Sequence, residues 1–163
     1  MDIFVQSCCH NILSDFKRNY PNLKAISALS QGADSIFAQS AISLNIELDA
    51  VIPFDEFQSD FFDETAYETY RKLRDNSHLE TRVNFVKRSN LAYKKSMDWV
   101  VFKSNIIIAV WDGIKEGSTG GTWEAIMLCE KLNKSVVVIN ISTRTMSYAQ
   151  NKQNKLLSFW NIN

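Results

Sequence analysis

The sequence predicts an α/β protein of the Rossmann-like, three-layer class, in which a mainly parallel sheet lies between two layers of helices. Short apolar runs typical of buried strands alternate along the chain with amphipathic segments at helical spacing. The run Val136–Ile139 is apolar throughout, which is typical of a strand covered by helices on both faces. At 163 residues, the chain is long enough for one domain with a proper core.

The predicted helices have apolar residues at close to a 3.6-residue period, and the predicted strands are short apolar runs. In chain order the elements are a helix over 3–20, a strand over 25–29, a helix over 33–44, a strand over 48–52, helices over 65–75 and 81–103, a strand over 105–111, a helix from 122 and a strand over 135–141. The predicted helix over 81–103 is expected to contact the core through Val83, Val86, Leu91 and Trp99.

Two segments do not fit this alternation. The acidic and aromatic stretch over 54–63 is predicted to be a loop in which Phe57, Phe61 and Phe62 fold back over the core, and a lid over a cleft is the alternative. Residues 146–163 are predicted to form a C-terminal tail that docks as a helix through its apolar residues near the end. The tail follows a single domain over 1–145.

Bulk composition excludes several function classes. The formal net charge is zero, and the basic residues are scattered rather than clustered, so nucleic acid is not expected as a partner. No apolar run approaches the roughly 20 residues that span a bilayer, and the first residues do not resemble a signal peptide. Three cysteines and two histidines show no metal-ligand spacing. We therefore expect a cytoplasmic protein with reduced cysteines, no metal and no cofactor.

The glycines indicate where a ligand binds. Four of the five lie between Gly113 and Gly121, after an apolar strand and before a helix start, and the fifth, Gly32, lies in a second strand-to-helix turn. A glycine turn that leads into a helix presents free backbone N–H groups and the positive end of the helix dipole, which suits a phosphate or a carboxylate. Two such turns at one end of a sheet would form a cleft of nucleotide size.

Several short segments resemble the SLOG superfamily, the Rossmann-like group that includes the Smf/DprA and Lonely-guy proteins. These are Ser27–Asp34, Val51–Phe54, Ser59–Phe61, Tyr93, Ile108–Gly113 and Gly120–Thr122, and the resemblance as a whole extends over roughly residues 8 to 140. The resemblance implies a nucleotide-binding domain that senses a phosphorylated ribose ligand of the ADP-ribose or cyclic ADP-ribose type, as in bacterial antiviral signalling. An enzyme is not the first expectation.

The resemblance also implies the ligand-binding residues. They are Ser30, Gly32, Ala33 and Asp34 in the first turn, Asp112, Gly120, Gly121 and Thr122 in the second, together with Tyr93 and Glu124. Three of these have open alternatives. Asp34 either holds its turn or reaches a ribose hydroxyl. Tyr93 is a core aromatic or stacks on a base. Glu124 stabilises a helix start, contacts ribose or acts as a catalytic acid.

Two departures from the family bear on function. The family opens with a strand, whereas this sequence opens with the helix that would follow it, so we expect a sheet that lacks the usual first strand and associates as a homodimer. The Lonely-guy signature places its glutamate one residue farther from the threonine than Glu124, which disfavours hydrolysis. The alternatives are a hydrolase of nucleoside monophosphates that uses Glu124 with Arg82 or Arg88, and a structural domain of a larger defence assembly.

Overall fold

A computed structural model describes residues 2–115 and 119–150, and it confirms the α/β, Rossmann-like class. The described residues form five α-helices, six strands and one short 3-10 helix at Phe57–Asp60. The helices are α1 (Ile3–Asn19), α2 (Ala33–Ser43), α3 (Glu64–Asp75), α4 (Asn90–Lys103) and α5 (Thr122–Lys131). The strands are β1 (Lys24–Ser27), β2 (Glu47–Ile52), β3 (Leu79–Arg82), β4 (Ile106–Trp111), β5 (Ser135–Asn140) and β6 (Thr145–Ala149).

The strands form two separate three-stranded sheets rather than one continuous sheet. One has the order β1-β2-β3 and is parallel, and the other has the order β4-β5-β6, with β4 and β5 parallel and β6 antiparallel to β5. Within the described residues, β1 and β4 therefore each have one edge that pairs with no other strand. No strand precedes α1 among the described residues, as the sequence predicts.

Side-chain alternation along β4 and β5 places helices on both faces of the second sheet. Ile108 and Val137 pack in a cluster with residues of α1 and with Ile36 of α2. Their neighbours Ile107 and Val136 belong to a different cluster, which contains residues of α4 and α5. Because successive strand residues point to opposite faces, the two clusters lie on opposite sides of the sheet. The predicted three-layer arrangement is confirmed.

The predicted helix over 81–103 is wrong in its first part. Residues 81 and 82 belong to β3, and α4 begins after Ser89, whose Oγ accepts the Ala92 N–H at 3.1 Å. Three of the four expected core residues are exposed, Val86 to 63%, Leu91 to 52% and Trp99 to 38%, whereas Val83 is half-buried. The strand β3 has no apolar run, and its conformation comes from pairing with β2 at the edge of the sheet, a tertiary contact that no local pattern reveals.

The described start of the C-terminal tail is also different from the prediction. Residues 146–149 lie in β6, an edge strand that pairs with β5 from Asn140 opposite Thr145 to Val136 opposite Ala149. The apolar residues expected to dock the tail as a helix, Leu156, Leu157, Phe159 and Trp160, lie outside the described residues. The predicted domain over 1–145 therefore continues at least through β6.

The aromatic loop folds over the core at one position and not at another. Phe57 is buried, and its ring meets the rings of Phe54 and Tyr70 edge-on at 5.4 Å each, and that of Phe61 at 5.3 Å. Phe62, in contrast, is 96% exposed. The expectation that this loop packs on the core is confirmed for Phe57 and wrong for Phe62.

Candidate functional site

A cavity of about 1030 Å³ separates the two sheets. It is lined by consecutive residues of the β1 region, from Lys24 to Ala28, and of the β4 region, from Ser104 to Val110. Side chains of a strand alternate between its two faces, so an unbroken run of lining residues means that the backbone edge of each strand borders the cavity. The cavity thus runs along the edges of β1 and β4 that no described strand covers, and it reaches the carboxyl ends of both strands.

Both predicted glycine turns open on the carboxyl end of this cavity. Seven of the ten predicted ligand-binding residues line it, namely Ser30, Ala33, Asp34, Tyr93, Gly120, Gly121 and Thr122. The other three, Gly32, Asp112 and Glu124, are not among the lining residues. The structure thus brings together residues from two turns that are almost ninety positions apart in sequence.

The first turn depends on the backbone of Gly32, which has φ 103° and ψ −123° and precedes α2. Residues with a side chain rarely adopt this backbone conformation, although nothing lies within 4 Å of the position that a Cβ would occupy. Gly32 therefore shapes the turn through its own conformation. The turn leads directly into α2, and Ala33 and Asp34 of the first helical turn line the cavity.

The two helices that follow the glycine turns differ from the other described helices in their N-terminal caps. Each of the helices α1, α3 and α4 has a polar side chain, from Asp2, Asp63 and Ser89 respectively, that accepts N–H groups of its first turn. The helices α2 and α5 begin after Gly32 and Gly121, and neither has a side-chain cap. Two helix N-termini without caps therefore face one cavity, and each carries positive partial charge.

The second turn packs tightly against α4. Gly120 has φ 82°, and a Cβ at this position would lie 2.7 Å from the backbone nitrogen of Lys94 and 2.9 Å from the carbonyl carbon of Tyr93. Gly120 is thus required for close approach of the loop to a helix. The adjacent Gly121 has φ −83° and ψ 177°, which is ordinary extended backbone.

Glu124 holds this turn in place. Its Oε2 accepts the backbone N–H of Gly120 at 2.7 Å, so the carboxylate is directed back over the start of α5. This is the kind of contact that a glutamate in the first helical turn makes with the preceding backbone. Of the alternatives open from the sequence, the contact favours a structural role over catalysis.

The arginines of the hydrolase alternative do not join the cavity. Arg82 pairs with Glu80 at 2.7 Å and with Asp55 at 3.4 Å, and Arg88 pairs with Asp60 at 3.0 Å. Neither arginine lines the cavity. The geometry does not assemble an acid and a cation around a common reaction centre.

Tyr93 lies between the core and the cavity. Its ring meets that of Phe54 edge-on at 5.9 Å, and the guanidinium of Arg88 lies 5.7 Å from the ring centroid. The residue is half-buried and also lines the cavity. Tyr93 therefore serves as a core aromatic and as part of the cavity wall.

Asp112 forms a turn outside the cavity. Its Oδ1 accepts the Ile114 N–H at 2.9 Å, and its carbonyl accepts the Ser142 hydroxyl at 2.6 Å. The side chains of Trp111 and Trp123 stack beside this turn at 5.3 Å. These contacts assign Asp112 to the support of the second loop.

Asp49 is a cavity residue that the sequence analysis missed. It lies in the middle of β2, lines the cavity, and its Oδ1 is buried with no hydrogen-bond partner among the described residues. A buried polar atom without a partner is unfavourable in a folded protein. The available signal was a carboxylate between the apolar residues Leu48 and Ala50.

Asp34 is an ionisable residue of the first turn whose pKa is changed by its surroundings. Its Oδ2 accepts the Ser30 N–H at 3.4 Å, and the hydroxyl of Ser27 donates to the Asp34 carbonyl at 3.3 Å. Burial of the carboxyl group raises the pKa of Asp34 above its usual value of 3.8, and the hydrogen bonds from Ser30 only partly offset this rise. The negative charge is therefore unfavourable in the folded state.

We expect Asp34→Asn to stabilise the protein at neutral pH. Because the folded-state pKa is raised, the contribution of Asp34 to the stability of the parent is fully present below pH 3.8 and is lost as pH rises through the folded pKa. The amide keeps the acceptor for Ser30 and carries no charge. The difference in free energy of unfolding, measured by urea denaturation, should grow in favour of the variant from pH 4 to neutral pH. Asp75→Asn, at an exposed carboxylate, is the control, and equal pH profiles for Asp34→Asn and the parent would contradict the expectation.

The three cysteines are buried thiols. Cys8, Cys9 and Cys129 are free and buried, and burial raises the pKa of Cys9 to about 12 and that of Cys129 to about 11. Within residues 2–115 and 119–150, no group of His, Cys, Asp and Glu could hold a metal ion. No helix in the described part of the chain is both long and apolar enough to cross a membrane.

Comparison of the chain with models of protein families and with curated proteins gives no match.

Proposed function

We propose that the protein binds a phosphorylated, ribose-containing nucleotide at the carboxyl ends of β1 and β4. One observation carries this proposal: the two helices that begin at this cavity, α2 and α5, are those that start at glycines without side-chain caps. Free N–H groups and the helix dipole favour an anionic group at each of these helix starts. A nucleotide with two phosphates supplies charge for both.

Polar groups around the two helix starts suit the rest of such a ligand. The side chains of Ser30 and Thr122 line the cavity, and each offers a hydroxyl that can donate to a phosphate oxygen. Asp34 carries an acceptor for a ribose hydroxyl, and the ring of Tyr93 provides a surface against which a base can stack. Recognition of this kind needs positioning and no covalent step, so the function is binding or sensing.

The resemblance to the SLOG superfamily supports a more specific proposal. It favours ADP-ribose or cyclic ADP-ribose as the ligand class, and a role as a cytoplasmic sensor in bacterial antiviral signalling. Both ligands carry the two phosphates that the paired helix starts favour, and both carry ribose.

Isothermal titration calorimetry with ADP-ribose, cyclic ADP-ribose and AMP tests the binding proposal. We expect the two diphosphates to bind and Gly121→Val to abolish binding, because a side chain there obstructs the approach of backbone to phosphate while φ −83° permits valine. Met127→Val, at an exposed position of α5, is the control and should bind normally. Unchanged affinity in a folded Gly121→Val protein would exclude this loop from the site.

A separate assay distinguishes sensing from hydrolysis. We expect no release of base when the protein is incubated with nucleoside monophosphates, because Glu124 is engaged with Gly120. Glu124→Gln should weaken nucleotide binding because it loosens the turn, and neither the parent nor this variant should release base. Base release by the parent that disappears in Glu124→Gln would favour the hydrolase instead.

A further inference from the structure

Asp49 is the one residue of β2 that lines the cavity between the two sheets. Because β2 is the middle strand of its sheet, its backbone edges are paired with β1 and β3, and Asp49 reaches the cavity through its side chain. Asp49 is in register with Ile26 of β1 and Leu79 of β3, and both of these apolar neighbours also line the cavity. Asp49 therefore places a carboxyl group in an apolar part of the wall.

Asp49 lies just below the level of the first glycine turn. Its register partner Ile26 precedes Ser27, the last residue of β1, by one position, which is about 3.3 Å along the strand. The turn that follows β1 contains Ser30 and leads to the start of α2 that has no side-chain cap. A nucleotide with a phosphate at this helix start and its base inside the cavity therefore passes the level of Asp49.

The helix α4 supplies apolar contacts along the length of the cavity. It begins beside the second turn, where Gly120 approaches the backbone of Lys94, and it ends at Lys103, close to the amino end of β4. Tyr93 and Met97 are about one helical turn apart on α4, and both line the cavity. An aromatic ring and a thioether both pack well against a planar base. Apolar walls with a single well-placed polar group are typical of a specific ligand pocket.

The carboxyl group of Asp49 lacks a partner on one of its oxygens. Its Oδ1 is buried and has no hydrogen-bond partner within residues 2–115 and 119–150. Lys24, which lies on the same face of the sheet, is paired with Glu47 at 2.6 Å. A buried polar atom without a partner is unfavourable, and an ionised carboxylate can accept hydrogen bonds but cannot donate them. A ligand in the cavity would therefore have to offer Asp49 a donor.

We propose that Asp49 selects the base of the bound nucleotide by accepting a hydrogen bond from its exocyclic amino group. This inference rests on the proposed function, in which an adenine nucleotide binds with its phosphates at the two helix starts. In adenine joined to ribose through N9, the amino group at C6 is the only N–H donor of the base. Ribose hydroxyls are closer to the phosphates, where Asp34 offers them an acceptor. The site should therefore prefer adenine to hypoxanthine, which carries an oxygen at C6.

Calorimetric titration with ADP-ribose and inosine diphosphate ribose, which differ at C6 of the purine, tests this selection. We expect the parent to bind ADP-ribose at least about tenfold more tightly, as a hydrogen bond to a charged group predicts. In Asp49→Asn the preference should disappear or reverse, because an amide can turn its NH2 group towards the C6 oxygen. Asp75→Asn, at an exposed carboxylate of α3, is the control and should keep the preference of the parent.

Unfolding of the ligand-free protein separates recognition from a structural role of Asp49. We expect Asp49→Leu to raise the urea midpoint, because leucine suits the apolar neighbours and removes the unpartnered carboxylate, and to weaken binding of ADP-ribose by about tenfold or more. A lower midpoint with unchanged affinity would overturn the proposal. Equal affinities of the parent for the two nucleotides would also overturn it and leave the proposed function in place. If the parent binds neither nucleotide, the proposed function is wrong, and this inference with it.

Discussion

Phe57→Ala is expected to lower the free energy of unfolding by about 3–5 kcal/mol, the range typical of a large buried aromatic. Phe57 is 1% exposed, and its ring makes edge-on contacts with Phe54, Phe61 and Tyr70. Alanine would remove all of these contacts and leave a cavity beneath the acidic loop. Urea denaturation of the variant and the parent at neutral pH measures the difference.

Phe62→Ala is the matched control for this experiment. The two phenylalanines are five residues apart in the same loop, but Phe62 is 96% exposed. Its replacement should change the free energy of unfolding by less than about 0.5 kcal/mol. Equal effects at both positions would mean that the loop does not pack as described.

Gly120→Val is expected to destabilise the fold by about 2–5 kcal/mol, through overpacking together with an unfavourable backbone conformation. The new Cβ would lie 2.7 Å from the backbone nitrogen of Lys94, and backbone cannot move aside as a flexible side chain can. Gly120 also has φ 82°, a backbone conformation that is strongly unfavourable for valine. Thermal and urea unfolding monitored by circular dichroism measure the loss.

Gly121→Val provides the comparison at the next residue. Its extended backbone accepts a side chain, so we expect this variant to remain folded while it loses nucleotide binding. The two glycines would then have separate roles, Gly120 in packing and Gly121 in ligand access. A Gly120→Val protein as stable as the parent would show that the loop can move away from α4.

The periodicity of apolar residues predicted most of the fold, because in most elements these residues form the face that packs against the core. The predicted strand over 48–52 and helix over 33–44 agree with β2 and α2 to within one residue at each end. The failures, β3 and β6, are edge strands with partly exposed residues. They form because a neighbouring strand offers hydrogen bonds, and this information is not contained in their own sequences.

The candidate site could be predicted in position but not in detail. Glycine placement indicates both turns, and Gly32 and Gly120 have the positive φ that such usage suggests. The different roles of Gly120 and Gly121 depend on how closely Gly120 approaches Lys94. This tertiary contact has no signature in the sequence. Glu124 is a similar case, since a helical glutamate has the same sequence context whether it binds a ligand or its own backbone.

The helix α1 packs against both sheets. Its adjacent residues Ile12 and Leu13 belong to different clusters, the first with Val137 of β5 and the second with Leu48 of β2. Each sheet carries one glycine turn, so the separation of the sheets sets the distance between the two helix starts that lack side-chain caps.

A ligand that contacts both helix starts would therefore favour one separation of the two sheets. By thermodynamic reciprocity, a second ligand that favours the same separation would strengthen the binding of the first by an equal factor.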